Sequence, residues 1–152
     1  MIKLFATDID GTLTDGKIYL SEKGDEYKAF SVKDGLGIKL LQKAGVEVAI
    51  ITNKTSKIVE RRAADLGIKE VYQGINDKKE CLLMIMKKLN LKPEEVAYAG
   101  DDITDLECMR LVKESLAPND AMEINKKTAT YVSAFNGGDG AVRDFIDYLL
   151  SL

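Results

Sequence analysis

The sequence predicts a doubly wound α/β domain: a parallel sheet with helices on both faces. Three observations predict it. Short apolar runs of β character alternate with amphipathic helical stretches along the whole chain. The runs are apolar throughout rather than on alternate residues, as strands covered on both faces must be. Acidic or hydroxyl residues stand directly behind several of the runs, where open α/β sheets bind their ligands.

Residues 3–7 form the first strand and lead straight into Asp8. A β-hairpin follows at about residues 16–30. In it, segments 17–20 and 26–30 alternate polar with apolar or aromatic residues around a Ser-Glu-Lys-Gly-Asp turn. Exposed Ile18, Tyr19, Tyr27 and Phe30 would be costly on a solvated arm, so the hairpin reads as a subunit interface. Residues 46–52 make a second strand closed by Thr52. A helix then places Ile58, Val59, Arg62, Ala63 and Leu66 on one stripe. A strand at 70–72 precedes a helix whose stripe is Leu82, Ile85, Met86 and Leu89. Strands at 96–99 and 130–132 complete the series. The final helix carries Val142, Phe145, Ile146, Leu149 and Leu150 at i, i+3, i+4, i+7 and i+8. No internal repeat or dividing linker interrupts residues 1–152, so one domain is expected.

Composition narrows the function. The net charge of −3 and the scattered lysines and arginines give no basic stripe for a nucleic-acid backbone. No apolar run approaches the roughly 20 residues that span a bilayer, and the N-terminus resembles no leader, so a cytoplasmic protein is expected. Cys81 and Cys108 fall in helical stretches outside any metal-ligand spacing and read as packing residues. The chain has no histidine, which removes imidazole bases and the usual zinc sites. Catalysis is left to carboxylates, lysines and hydroxyls.

Two acidic clusters stand behind strands. Asp8 and Asp10, in Asp-Ile-Asp-Gly-Thr, leave the first strand together, and Gly100-Asp101-Asp102-Ile103-Thr104-Asp105 follows the strand at 96–99. Either cluster alone is consistent with a helix cap. Side by side in a parallel sheet they repel unless a cation compensates, and magnesium suits hard oxygen ligands best. Thr52 brings a hydroxyl to the same edge, and Lys78, at a helix start, brings a fixed positive charge.

Read in order, Asp8-x-Asp10-Gly11-Thr12, Thr52, Lys78 and Gly100-Asp101-Asp102 resemble the four motifs of the haloacid dehalogenase superfamily. The likeness runs the length of the chain. It is greatest to the 3-deoxy-octulosonate 8-phosphate phosphatases and the related nonulosonate 9-phosphatases, through Thr14-Asp15-Gly16, residues 32–38, Arg61-Arg62, Tyr72-Gln73-Gly74 and residues 137–143.

The resemblance implies a doubly wound, Rossmann-like sheet with no separate cap domain, the hairpin serving in its place. It implies a magnesium-dependent phosphatase of an acidic keto-sugar phosphate. Asp8 would be the nucleophile and Asp10 the acid and then the base, with Thr52 and Lys78 stabilising charge. Asp8, the Asp10 carbonyl and Asp101 would hold the metal, with Asp102 orienting its waters. Substrate contacts would fall to Asp10, Lys33, Asp34, Gly35, Lys54, Arg62 and Lys78. Hairpins of four subunits would associate into a homotetramer, and the segment 137–140 would reach a neighbouring active site; from spacing alone it also fits a mobile loop. Two positions depart from the octulosonate pattern: Asn53-Lys54 stands where Gly-Arg is common, and Asp139 where Lys or Arg is usual. A nine-carbon sugar phosphate, or a non-catalytic assembly module, are the alternative readings. A phosphorylated signalling receiver is more distant, since it lacks Asp-x-Asp-Gly-Thr at its first strand.

Overall fold

Strand β1 (Leu4–Thr7) is buried over its whole length because it has a hydrogen-bonded neighbour on each side and a helical layer over each face. In the computed structural model, which describes residues 1–152, the next elements are a short hairpin, β2 (Tyr19–Leu20) and β3 (Glu26–Tyr27), and then α1 (Val32–Lys43). Strand β4 (Glu47–Ile51), helix α2 (Lys57–Asp65), strand β5 (Glu70–Tyr72) and helix α3 (Lys78–Leu89) follow. The second half holds β6 (Val96–Ala99), α4 (Leu106–Leu111), β7 (Glu114–Ala117), α5 (Glu123–Thr128), β8 (Tyr131–Val132) and α6 (Ala141–Ser151).

Six strands pair in the order β5-β4-β1-β6-β7-β8, all parallel. Alternate side chains enter opposite layers. Phe5, Val48, Ile50, Ala97 and Ala99 meet α1, α2 and α6 in one core, while Leu4, Ala6, Ala49, Ile51, Val96 and Tyr98 meet α3 and α4 in the other. The chain builds outward from β1 through β4 to β5, then crosses to β6 and builds the other way. The reversal opens a crevice between β1 and β6 at their carboxyl ends. Asp8 and Asp101 lie beyond those two ends.

The expected strands form, with ends shifted by a residue. Strand β7 had no signal in the sequence, since Glu-Ser-Leu-Ala is short and half polar, yet burial between β6 and β8 makes it a strand. The hairpin is shorter than the sequence reading: only Tyr19 with Tyr27 and Leu20 with Glu26 are paired. Phe30 is not among its exposed residues. It is partly buried against the core, under the Arg62 guanidinium at 5.4 Å. No helix is long and apolar enough to cross a membrane.

Candidate active site

The loop after β1 is shaped by its own hydrogen bonds. The Ile9 carbonyl accepts the N–H groups of Thr12, Leu13 and Thr14, and the Thr14 hydroxyl accepts those of Gly11 and Gly16. Gly11 turns the chain at φ +91°, and a Cβ there would sit 1.8 Å from Asp101 Oδ2. Only glycine lets the β1 loop lie directly against the second acidic turn. Gly137 repeats the device from outside, since a Cβ would fall 1.9 Å from the Gly11 carbonyl oxygen. Segment 137–140 thus packs on the loop of its own chain, with the Gly138 N–H donating to the Thr12 carbonyl.

Lys78, first residue of α3, crosses to this loop. Its ammonium donates to Asp8 Oδ1 and to Asp105 Oδ1, both at 2.9 Å, and all three side chains are nearly or wholly buried. Helix α3 begins there because Asp77 caps it, its carboxylate accepting the Glu80 N–H. Burial works against the Lys78 charge, but Asp8 and Asp105 outweigh it and hold the pKa above the usual lysine range. Asp105 also accepts from the Tyr98 hydroxyl at 2.6 Å and from the Asp101 and Asp102 N–H groups at 3.1 and 3.3 Å. Four donors on two oxygens fill its accepting capacity. Asp105 is therefore the bolt that fixes Lys78 and the second acidic turn rather than an open ligand.

Asp8, Asp101 and Asp105 bring carboxylate oxygens within 4.8 Å of one another. Burial, and then repulsion from Asp105, drive the Asp8 pKa well up against the pull of Lys78, with Asp101 adding to the rise. Burial likewise lifts Asp101 to about 6. With all three carboxylates ionised, the single ammonium would leave two negative charges in excess, which is why burial and repulsion favour their protonated forms unless a cation is present. This donor set fits a hard divalent cation, with Asp8 and Asp101 the carboxylates that have capacity for it.

Of the remaining residues singled out in the sequence, Asp10 is half-buried beside Asp8 in sequence and pairs with Lys28 of the hairpin. Thr52 is buried at the end of β4. Its N–H donates to the Tyr72 carbonyl and its carbonyl accepts the Ile75 N–H, leaving the hydroxyl free. Asp102 is exposed and caps the short turn after it through the Ile103 N–H at 2.7 Å. Lys54 lies exposed on the loop after β4, beside Asn53, whose amide donates to the Ile75 carbonyl. Arg62 donates to the Ser31 carbonyl at 3.3 Å and lines an open groove with Lys28, Phe30, Lys57, Arg61 and Asp65.

The first turn of α1 is placed differently. Asp34 is buried and accepts the Arg143 N–H at 2.9 Å, tying α1 to α6, while Gly35 packs under the Arg62 side chain and Lys33 is exposed on the α6 side. Sequence reasoning did not single out Lys28 or assign a task to Asp105. The four-residue step from Asp101 to Asp105 was a visible clue to the second; nothing local marked the first. Cys81 and Cys108 are free and buried, with burial pushing their thiols up to about 11 and about 12, as packing residues should be.

The haloacid dehalogenase-like hydrolase family matches residues 26–112. The 3-deoxy-D-manno-octulosonate 8-phosphate phosphatase KdsC of Escherichia coli (strain K12) is 45% identical, over 98% of this chain and 79% of its own. The corresponding phosphatase of Moraxella catarrhalis, solved in complex with magnesium ion, phosphate ion and a KDO molecule, superposes with a TM-score of 0.96 at 41% identity. The match covers 99% of this chain and 86% of that one. The Yersinia pestis structure gives a TM-score of 0.96 at 43% identity, covering 99% and 81%.

Proposed function

Because the chain belongs to the haloacid dehalogenase-like hydrolases, we propose that it is a magnesium-dependent phosphatase of 3-deoxy-D-manno-octulosonate 8-phosphate. The observation that carries this reading is the buried Asp8, held by Lys78 and faced by Asp101, with two negative charges in excess once all three carboxylates are ionised. Such a carboxylate is a nucleophile kept in one orientation.

Asp8 attacks phosphorus in line, forming an aspartyl phosphate as the bond to the C8 oxygen breaks, and Asp10 gives its proton to that oxygen. Asp10 then takes a proton from water, whose oxygen attacks phosphorus and frees Asp8 and inorganic phosphate. Lys78 and the Thr52 hydroxyl stabilise charge on the transferring oxygens. Asp8, Asp101 and the Asp10 carbonyl would hold magnesium, near Asp102, and the ion when bound supplies the Lewis-acid charge that lets a carboxylate approach a phosphate dianion.

An acidic sugar is supported by the groove, where Lys28, Lys57, Arg61 and Arg62 outnumber Asp65. Lys28 both lines this groove and pairs with Asp10, which sets the groove beside the chemistry. Lys54, exposed on the loop after β4, is a further candidate contact for the sugar acid. Asp34 and the Lys33 carbonyl contribute by tying α1 to Arg143 of α6, and Gly35 by making room for the Arg62 side chain.

Phosphate release tests the reading on a panel containing the eight-carbon and nine-carbon acidic sugar phosphates, with magnesium and with chelator. The eight-carbon sugar should give the highest kcat/KM, and chelation should abolish turnover. Asp8→Asn should lose at least about a thousandfold, the order expected when a nucleophile is removed. Undiminished turnover by that variant would remove the mechanism.

A further inference from the structure

Lys28 belongs to none of the motifs that assemble the site, yet its ammonium donates to Asp10 Oδ1 at 2.8 Å and to Glu26 Oε1 at 3.2 Å. Its side chain is only 6% exposed, on a hairpin whose other large side chains mostly face solvent. Ordering a lysine tail costs up to about 2 kcal/mol of rotamer entropy, so the position is held by its partners. The hairpin is itself fixed at its base. Asp15 accepts the Lys17 N–H at 2.9 Å and the Tyr19 hydroxyl, and the return strand carries Lys28 back over the β1 loop.

We propose that Lys28 is the positioning residue for Asp10: by engaging Oδ1 it sets the rotamer that presents Oδ2 to the leaving oxygen. This rests on the phosphatase reading, in which Asp10 is the acid. An ammonium has three donors and no acceptor, so Lys28 grips the carboxylate without joining the proton transfer. The proton still passes from Asp10 to the sugar oxygen as the P–O bond breaks. Glu26 keeps the ammonium from swinging into solvent. The hairpin thereby supplies part of the acid's geometry, and positioning of this kind is felt steeply in rate.

A lysine that merely stapled the hairpin would affect all substrates alike. A positioned acid matters to an alkyl phosphate, whose alkoxide leaves poorly, and hardly to p-nitrophenyl phosphate, whose phenolate leaves without a proton. The full chain with magnesium is therefore assayed on both as wild type, Lys28→Met, Lys28→Arg, Glu26→Gln and Asp10→Asn. The comparison uses kcat/KM, which runs from free enzyme through phosphoenzyme formation, and the loss must recur on an alkyl phosphate that carries no carboxylate, which loss of a groove contact to the sugar acid would not give. Lys28→Met should lose about 10- to 100-fold on the sugar phosphate, less than the roughly 100- to 10,000-fold of general acid catalysis because the acid is misplaced rather than removed, and under about threefold on the aryl ester. Lys28→Arg should recover most of the loss, and Asp10→Asn should show the same substrate asymmetry.

Equal losses on both substrates in folded Lys28→Met, or no loss, would overturn the proposal. If Lys28→Met does not fold, Glu26→Gln, which frees the ammonium, must show a smaller loss of the same asymmetry, and its absence overturns the proposal too. Failure of the phosphatase reading looks different, since wild type would then be inert or Asp8→Asn fully active.

Discussion

Thr12 shows how much a single atom matters in this loop. Its hydroxyl is fully buried without a hydrogen-bond partner, although its backbone N–H and carbonyl are both satisfied. A buried orphan hydroxyl costs more than an apolar group of the same shape. Thr12→Val should therefore stabilise the fold by about 1 kcal/mol, measured by urea unfolding, with turnover on the sugar phosphate retained. The opposite result would show that the hydroxyl has a partner. At this scale the site was largely legible. Asp8, Asp10 and Asp101 could be singled out because acidic clusters stand at strand ends, and Thr52 and Lys78 because they follow the Asp pair in the order of the family's motifs. Lys28 was not legible, since its partner lies 18 residues away across a hairpin and nothing in its own neighbourhood distinguishes it from a surface lysine.

Helix α1 is the element that the sequence concealed. Gly35 and Gly37 weaken its helical propensity, and its buried positions include those two glycines and Asp34, so no apolar stripe announces it. Packing forms it instead. Ser31 caps its start by accepting the Asp34 N–H, and Asp34 clamps it to α6 through the Arg143 N–H. Burial lifts Asp34 to about 6, against the opposing pull of the Arg143 and Gly140 N–H groups and the Arg62 charge. A carboxyl whose folded pKa exceeds its unfolded value binds more protons when folded, so its contribution is greatest below the unfolded pKa and is lost as pH rises towards 6. Wild type should lose of the order of 2 kcal/mol relative to Asp34→Asn between pH 4 and pH 7. Urea midpoints at several pH values check this, and parallel pH profiles for the two proteins would refute it.

At the scale of the whole molecule, the hairpin leaves the surface unfinished. Ile18, just before β2, and Leu20 and Tyr27 on the two-residue strands are each more than half exposed, and such strands are too short to hold their shape alone. The expected homotetramer, with hairpins of four subunits covering one another, would bury them. Sedimentation equilibrium should give four chains for wild type and a smaller species for Ile18→Glu/Tyr27→Glu. That variant should also lose turnover on the sugar phosphate, since Lys28 follows β3 directly. A monomeric wild type would end the interface reading.

The family resemblance supplied the residues proposed to carry the chemistry, while the sequence by itself determined the alternation of strands and helices and the edge of the sheet where chemistry belongs. Those signals are local: periodicity of apolar residues, and polar groups at the ends of strands. The tertiary structure alone decided that Asp105 is consumed by four donors, that Asp34 serves the α1–α6 contact, and that Lys28 reaches Asp10. Each of these depends on hydrogen bonds closed between different elements, whose distance and direction only the folded chain fixes.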